Sequence, residues 1–420
     1  VLAGPEHKGF VASFGLQYTE QGPNGRDELQ KRAEQVASQG KEALKGNMEQ
    51  LTGNLIKEVW FDKNVLAASA EVIVNALKTE VPDLVITTHM NYAASLLPWK
   101  LHRVPTMEVD LCNLSQLTES DEYTRTEKYA EMKESAEYVE AAVGINPLAD
   151  IDADGYQRYR RQQCYSAFSK LLLPGGISSE IQALCLGFFI IRPSLLVKDM
   201  TQFGGADTLL RIQDFLDADA ARPPVYVGWG SMLLPPETLL KFIAAFKEQK
   251  LRAIICKGWG DLSLSSFTKI VQKFFPQDQM GLAAYAKDEK SILFVENCPH
   301  EWIFPRCLCT IHHGGAGTTC AALRSGVPTI ITPVAADQFR NANTIETMGV
   351  GCQYDLMAPT LIDPALTKAL LAATKDAAMR AKAQEVGSKI RSEDPIASII
   401  KVVDAQFVAT ASSEGSLGFP

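Results

Sequence analysis

Two doubly wound α/β halves in one chain are what this sequence predicts, and three observations carry the prediction. Short apolar runs with polar borders alternate with stretches of helical periodicity, and the alternation starts afresh after residue 224. Between the two series, Gly204-Gly205 through Pro224 reads as a linker carrying one helix, Leu209 to Leu216. In the second series, His312-His313-Gly314-Gly315-Ala316-Gly317-Thr318-Thr319 separates an apolar run from a helical pattern, so its glycines fill a strand-to-helix turn.

The elements follow in order. Val1-Leu2-Ala3 reads as the tail of a strand, Phe10, Val11 and Phe14 fit one face of a short helix, and Leu16-Gln17-Tyr18 reads as the next strand. Asp27 to Gln50 is polar and helix-forming, and Glu58 to Thr79 places Val59, Ala67, Val72, Ile73 and Leu77 in a helical pattern. Strands are predicted over 83–88, with His89 at the carboxyl end, and over 104–109. Thr118 to Val143 is charged and reads as a solvated helix. The second series gives strand 225–229, helix 236–249, and strands 252–256, 291–295, 307–312 and 329–332. Helices then run to about residue 407, and Ser412 to Pro420 reads as disordered. Domains are expected over 1–205 and 206–408, with a tail over 409–420.

Composition narrows the function classes. The chain has 420 residues, 46% of them apolar and 21% charged, enough for two or more domains with buried cores. A net charge of −8 without a lysine–arginine cluster argues against nucleic acid or an anionic membrane as the main partner. Nine scattered cysteines form no CxxC pair and read as small apolar core residues in a reducing compartment. The longest apolar run, 183–191, is far below the roughly 20 residues that a membrane span needs, and no signal peptide is visible. The expected setting is the cytoplasm, including a peripheral place at a membrane surface.

The turn at 312–319 presents free backbone N–H groups and the positive end of a helix, which suits a phosphate. Eighteen residues beyond Thr319, Asp337-Gln338 falls just past the strand that follows, on the sheet edge where α/β proteins bind ligands. A phosphate cradle beside a carboxylate–amide pair suits a nucleotide whose far end carries a sugar. Asp150-Ile151-Asp152-Ala153-Asp154-Gly155 begins like a calcium loop, but Arg161 stands where such a loop needs its glutamate, so no metal site is expected.

Three blocks resemble, in order and spacing, the donor half of UDP-glycosyltransferases of the sterol 3-β-glucosyltransferase type. They are residues 223–232 (Pro-Pro-Val-Tyr-Val-Gly-Trp-Gly-Ser-Met), 299–306 (Pro-His-Glu-Trp-Ile-Phe-Pro-Arg) and 312–338. Ala321 stands where the plant version of the last block has a ribose-binding glutamate, and no tryptophan lies near Val295, as is usual for the sterol-type branch. The resemblance implies the GT-B fold, two Rossmann-like domains facing a cleft. It implies inverting transfer of a hexose, glucose foremost, from a UDP-sugar to a sterol or similar lipophilic hydroxyl, with no cofactor. Acceptors of the polyketide or glycopeptide kind, and a catalytically impaired nucleotide-sugar binder, are the alternatives.

By the same resemblance, Ser231, His313, Gly315, Gly317 and Thr318 would surround the diphosphate, His300 and Trp302 would contact the nucleoside, and Asp337 and Gln338 would bind sugar hydroxyls. It also places the first strand of the amino-terminal domain, and the loop bearing the catalytic base, before Val1. His89 is the alternative base within this sequence.

Overall fold

The computed structural model describes residues 1–20 apart from 4, 6, 7 and 14, and residues 62–110, 121–173, 205–356 and 361–412 apart from 168, 233 and 336. Positions 27, 31, 182, 185 and 186 are described singly. Most of the polar stretch 27–50, all of the apolar run 183–191 except residues 185 and 186, and residues 413–420 lie outside the described residues. The chain divides into two compact units, Val1–Phe189 with Glu393–Pro420, and Ile190–Ser392.

In the first unit, β1 (Leu2–Ala3) pairs in parallel with β2 (Thr19–Glu20). That strand lies beyond the expected 16–18, because the ladder opens where Thr19 N–H donates to the Val1 carbonyl at 2.9 Å. A second parallel sheet runs β3 (Val85–Thr87), β4 (Thr106–Asp110), β5 (Cys164–Ser166). On one side lies a core of Ile73 and Leu77 from α1 (Lys63–Thr79), Met132 and Val139 from α2 (Tyr129–Val143), and Tyr156 and Tyr159 from α3 (Ala153–Gln163). On another, Met107, Val109 and Tyr165 receive Ile399, Val402 and Val403. Those three come from the final helix, Pro395–Ser412, which the sequence assigned to the second domain and partly to a disordered tail. Apolar residues at helical spacing put it in the first unit instead, and the helix runs through 409–412.

The calcium-like acids are all engaged. Asp150 pairs with Lys100, Asp154 lies 2.7 Å from Arg125, and Asp152 caps α3 by accepting from Gly155 N–H at 2.7 Å.

In the second unit, six parallel strands are ordered β11-β10-β9-β6-β7-β8. They are β6 (Val225–Gly228), β7 (Ala253–Cys256), β8 (Ile292–Val295), β9 (Thr310–His312), β10 (Thr329–Ile331) and β11 (Gly351–Gln353). Every residue of β6, β7, β9 and β10 is buried, as near-continuous apolar runs covered on both faces require. Gly351-Cys352-Gln353 lacked such a run, so this sixth strand was invisible in the sequence. The expected helix at 236–249 is α5 (Thr238–Gln249), and the linker helix, α4, is longer than expected at Gly205–Ala218.

Glu108, in the middle of β4 and 8% exposed, is a buried acid whose pKa burial pushes up to about 7, against the opposing pull of Arg160. The folded state therefore holds a proton that the unfolded chain has lost between about pH 4.5 and pH 7, so this residue lowers stability as pH rises through that window. Glu108→Gln is expected to stabilise the first unit by about 1–3 kcal/mol at pH 8 and to change it little at pH 4.5. Urea melts of the full chain at the two pH values, read by hydrogen exchange in β4, check this; equal effects at both would contradict it.

Candidate functional site

The strand order of the second unit reverses between β6 and β9, which are hydrogen-bonded neighbours with Gly228 opposite His312. Loops leaving the carboxyl ends of such a pair run in opposite directions and open a crevice, the usual ligand position in open α/β sheets. The loops here are the two that the sequence singled out, Gly230-Ser231 after β6 and 313–315 after β9.

His312 is fully buried and structural. Its Nδ1 accepts from Gly314 N–H at 3.0 Å and its Nε2 lies 2.9 Å from Thr329 Oγ1, so the ring ties the turn to β10. Alternation along the strand turns the next side chain the other way. His313 is 6% exposed, and its Nδ1 is buried without a hydrogen-bond partner. Its imidazole lies against both loops: a Cβ on Gly230 would be 3.1 Å from its Cε1, and one on Gly315 would collide with Nε2. Burial lowers its pKa to about 4, so in the free protein the ring is neutral at pH 7. A neutral ring can donate from one nitrogen to an anion, and a bound anion would favour the protonated form.

Gly314 has φ 91°, and a Cβ there would lie 2.5 Å from Ile331 Cγ2, so only glycine makes this turn. Gly315 is the N-cap of α6 (Ala316–Ser325) and supplies no side-chain cap. The first turn of a helix has no intrahelical partners for its N–H groups, and those of Ala316, Gly317 and Thr318 occupy that turn. Above them is room, since a Cβ on Gly317 would meet nothing within 4 Å. Thr318 and Ser231 are half-buried at the same edge. An imidazole nitrogen, a helix N-terminus and two hydroxyls thus share one sheet edge.

After β10 the chain enters α7 (Gln338–Thr347), with Asp337 at its N-cap. Asp337 makes no side-chain cap bond; its Oδ2 accepts from Asn341 Nδ2 at 3.1 Å. Gln338 turns its amide toward the preceding loop. Its Oε1 accepts the N–H groups of Val334 at 2.8 Å and Ala335 at 2.9 Å, and its Nε2 lies 3.4 Å from Met232 Sδ, so the amide holds the loop before α7.

His300 and Trp302 follow β8. The His300 ring stacks on Phe304 at 4.6 Å, its Nε2 lies 2.9 Å from the Tyr226 hydroxyl, and burial lowers its pKa to about 4. Trp302 packs on the same cluster and carries the Arg306 guanidinium 4.8 Å from its ring centroid. These contacts tie both residues into the cluster that holds Tyr226 and Phe304. His89 begins the turn after β3, and its side chain lies outside the described residues. Sequence reasoning missed Asn341 and the buried pair Trp229 Nε1 to Thr332 Oγ1, 2.8 Å, that joins the ends of β6 and β10. The spacing of Asn341, one turn beyond Asp337, was the available signal.

Residues 270–405 match the family described as Erythromycin biosynthesis protein CIII-like, C-terminal domain. The chain is 35% identical over 181 residues to the sterol 3-beta-glucosyltransferase of Yarrowia lipolytica, covering 43% of this chain and 11% of the fungal protein. It is 35% identical over 202 residues to that of Neosartorya fischeri, covering 46% and 13%. The chain thus spans little more than a tenth of the length of the curated relatives it matches. Among solved structures, the calicheamicin glycosyltransferase CalG4 is similar over 98% of this chain and 91% of its own, with TM-score 0.62 and 14% identity. The Streptomyces sp. SF2575 glycosyltransferase SsfS6, complexed with thymidine diphosphate, matches over 96% and 90% with TM-score 0.56 and 17% identity. The fold is GT-B, and the resemblance to sterol 3-β-glucosyltransferases holds at the level of sequence.

The two glycines of the turn and helix should respond oppositely to a methyl group. Gly314→Ala must strain a left-handed backbone and displace Ile331, and is expected to cost about 2 kcal/mol or more. Gly317→Ala enters open space within a helix and should be neutral or stabilise by up to about 1 kcal/mol. Denaturant melts of both variants decide it, and a tolerated Gly314→Ala would show the turn to be looser than its geometry.

Proposed function

We propose that the second unit binds a UDP-sugar and that the chain is an inverting glycosyltransferase, moving glucose to the hydroxyl of a sterol or similar lipophilic acceptor. The buried, unpartnered Nδ1 of His313 beside the open N-terminus of α6 carries this reading, because that pair supplies donors to an anion and nothing to a neutral apolar ligand. The sterol acceptor rests on the fungal relatives, whose similarity covers under half of this chain.

In the proposed reaction a base, for which His89 is the sequence's candidate, takes the acceptor hydroxyl proton. The oxygen lone pair attacks the anomeric carbon from the face opposite the diphosphate. The bond from that carbon to the β-phosphate oxygen breaks, its electron pair stays on that oxygen, and the sugar inverts. His313 and the N–H groups of the first turn of α6 stabilise the departing charge, as preorganised dipoles do at low cost in reorganisation. Asp337 orients the sugar through its hydroxyls, and Gln338 shapes the loop beneath it. No step draws on a metal ion or an organic cofactor. A lipophilic acceptor would be met at a membrane surface; no described helix is long and apolar enough to cross a membrane.

Calorimetry with UDP-glucose tests the donor site. His313 is neutral above about pH 5 when free, and a bound diphosphate favours its protonated form, so binding near pH 6 should take up a proton, visible as a buffer-dependent enthalpy. His313→Gln should abolish that uptake, and His313→Ala should weaken binding by about 1.5–3 kcal/mol. Proton uptake persisting in the glutamine variant, or unchanged affinity in the alanine variant, would remove His313 from the phosphates.

Turnover is tested with UDP-glucose against a 3-hydroxysterol in micelles, a macrolide aglycone and a glycopeptide aglycone, with and without EDTA. Glucosylation of the sterol alone, unaffected by EDTA, is expected. Preference for another aglycone would overturn the sterol acceptor, and binding without turnover on any of them would favour a nucleotide-sugar binder.

A further inference from the structure

Asn341 sits one turn into α7, 6% exposed, and its side-chain NH2 has two partners in different loops. One hydrogen goes to the Gly314 carbonyl at 2.8 Å, in the turn after β9, and the other to Asp337 Oδ2 at 3.1 Å. The turn is already pressed onto this helix, since a Cβ on Gly314 would lie 3.3 Å from the Gln338 carbonyl oxygen. There is thus a single donor group holding the phosphate-side turn and the sugar-side acid together.

The direction of the first bond matters. A trans peptide points its C=O and N–H oppositely, and no described peptide is cis. With the Gly314 carbonyl drawn toward Asn341, the N–H of Gly315 in the same peptide is aimed away from α7. That N–H stands between His313 and the first turn of α6, so its aim helps set where an anion sits. The second bond engages the Asp337 carboxylate, which makes no capping bond.

We propose that Asn341 is a positioning residue that locks the Gly314–Gly315 peptide and the Asp337 carboxylate into one frame, so that the site favours a UDP-sugar over UDP. The assignment rests on the nucleotide-sugar reading above. Asn341 touches neither substrate; it acts through the turn and through Asp337.

Asn341→Asp is isosteric but exchanges the donor for an acceptor and sets two carboxylates one helical turn apart. Asn341→Leu removes the bridge with no titratable group. Affinities for UDP and UDP-glucose, measured on the full chain at pH 8 and pH 5.5 against the parent at the same pH, distinguish the possibilities. The titratable groups facing the pair are Asp337 on α7 itself and His312 and His313 on the turn, which the comparison with the parent cancels.

At pH 8 both variants should lose about tenfold or more in UDP-glucose affinity and distinctly less in UDP affinity. At pH 5.5 Asn341→Asp should recover part of its loss, because two adjacent carboxylates share a proton and restore one donated bond, while Asn341→Leu should not. Parent-like binding of both ligands, an equal loss of both, or the same pH response in the two variants would overturn the positioning role. A misfolded Asn341→Asp would mean that the amide serves the fold and would overturn it too. If the parent binds neither ligand, the nucleotide-sugar reading itself fails and takes this assignment with it.

Discussion

The second unit depends on how closely backbone can approach a buried imidazole. His313 lies between the loops that leave β6 and β9, with the Cβ positions of Gly230 and Gly315 at or inside contact with its ring. Any side chain at Gly315 would push the ring off its place, and any at Gly314 would push on Ile331 and β10. The parallel register that puts Gly228 opposite His312 brings these loops level. Sheet order, glycine placement and the orphaned Nδ1 are therefore parts of one packing solution. A protein interior tolerates an unpaired polar atom where something outside the chain completes it.

In the proposed site, negative charge would be met by the N-terminus of α6, by the hydroxyls of Ser231 and Thr318, and by one ring that can be protonated. Dipoles fixed by the fold do not have to reorient when charge develops, which is why they stabilise a leaving diphosphate better than mobile side chains would. Burial holds both His300 and His313 near a pKa of 4, so neither repels the other at neutral pH. The acid at Asp337 stands on the adjacent loop and meets an uncharged sugar in the proposed complex.

Much of the unit was legible because its strands are buried on both faces and read as apolar runs. The glycine turn was equally clear, since its residues are constrained by backbone geometry that composition reflects directly. Less legible was what a side chain holds once folded: the Gln338 carbonyl closes the 334–335 loop beside Asp337, and the His300 ring meets the Tyr226 hydroxyl, 74 residues away. β11 and the helix Pro395–Ser412 were misread for reasons of pattern and range. The strand has little apolar pattern of its own, and the helix has a strong pattern whose partner sheet lies far earlier in the chain, which no local window reveals.

The two units face different physical demands, and this bears on which part of the chain resembles its relatives. The proposed phosphate and sugar contacts, from Ser231 through Asp337, all lie in the second unit, where backbone packs against ring and the tolerance for change is a few tenths of an ångström. The matching family domain covers 270–405 and so contains most of them. A lipophilic acceptor asks instead for apolar volume, which many side-chain combinations can enclose, and its shape is not encoded in a short motif. Among its described residues, the first unit buries Glu108 close enough to Arg160 for their charges to interact. Donor recognition in the proposed site thus rests on a few fixed backbone and ring positions, whereas a lipophilic acceptor can be met by many apolar surfaces.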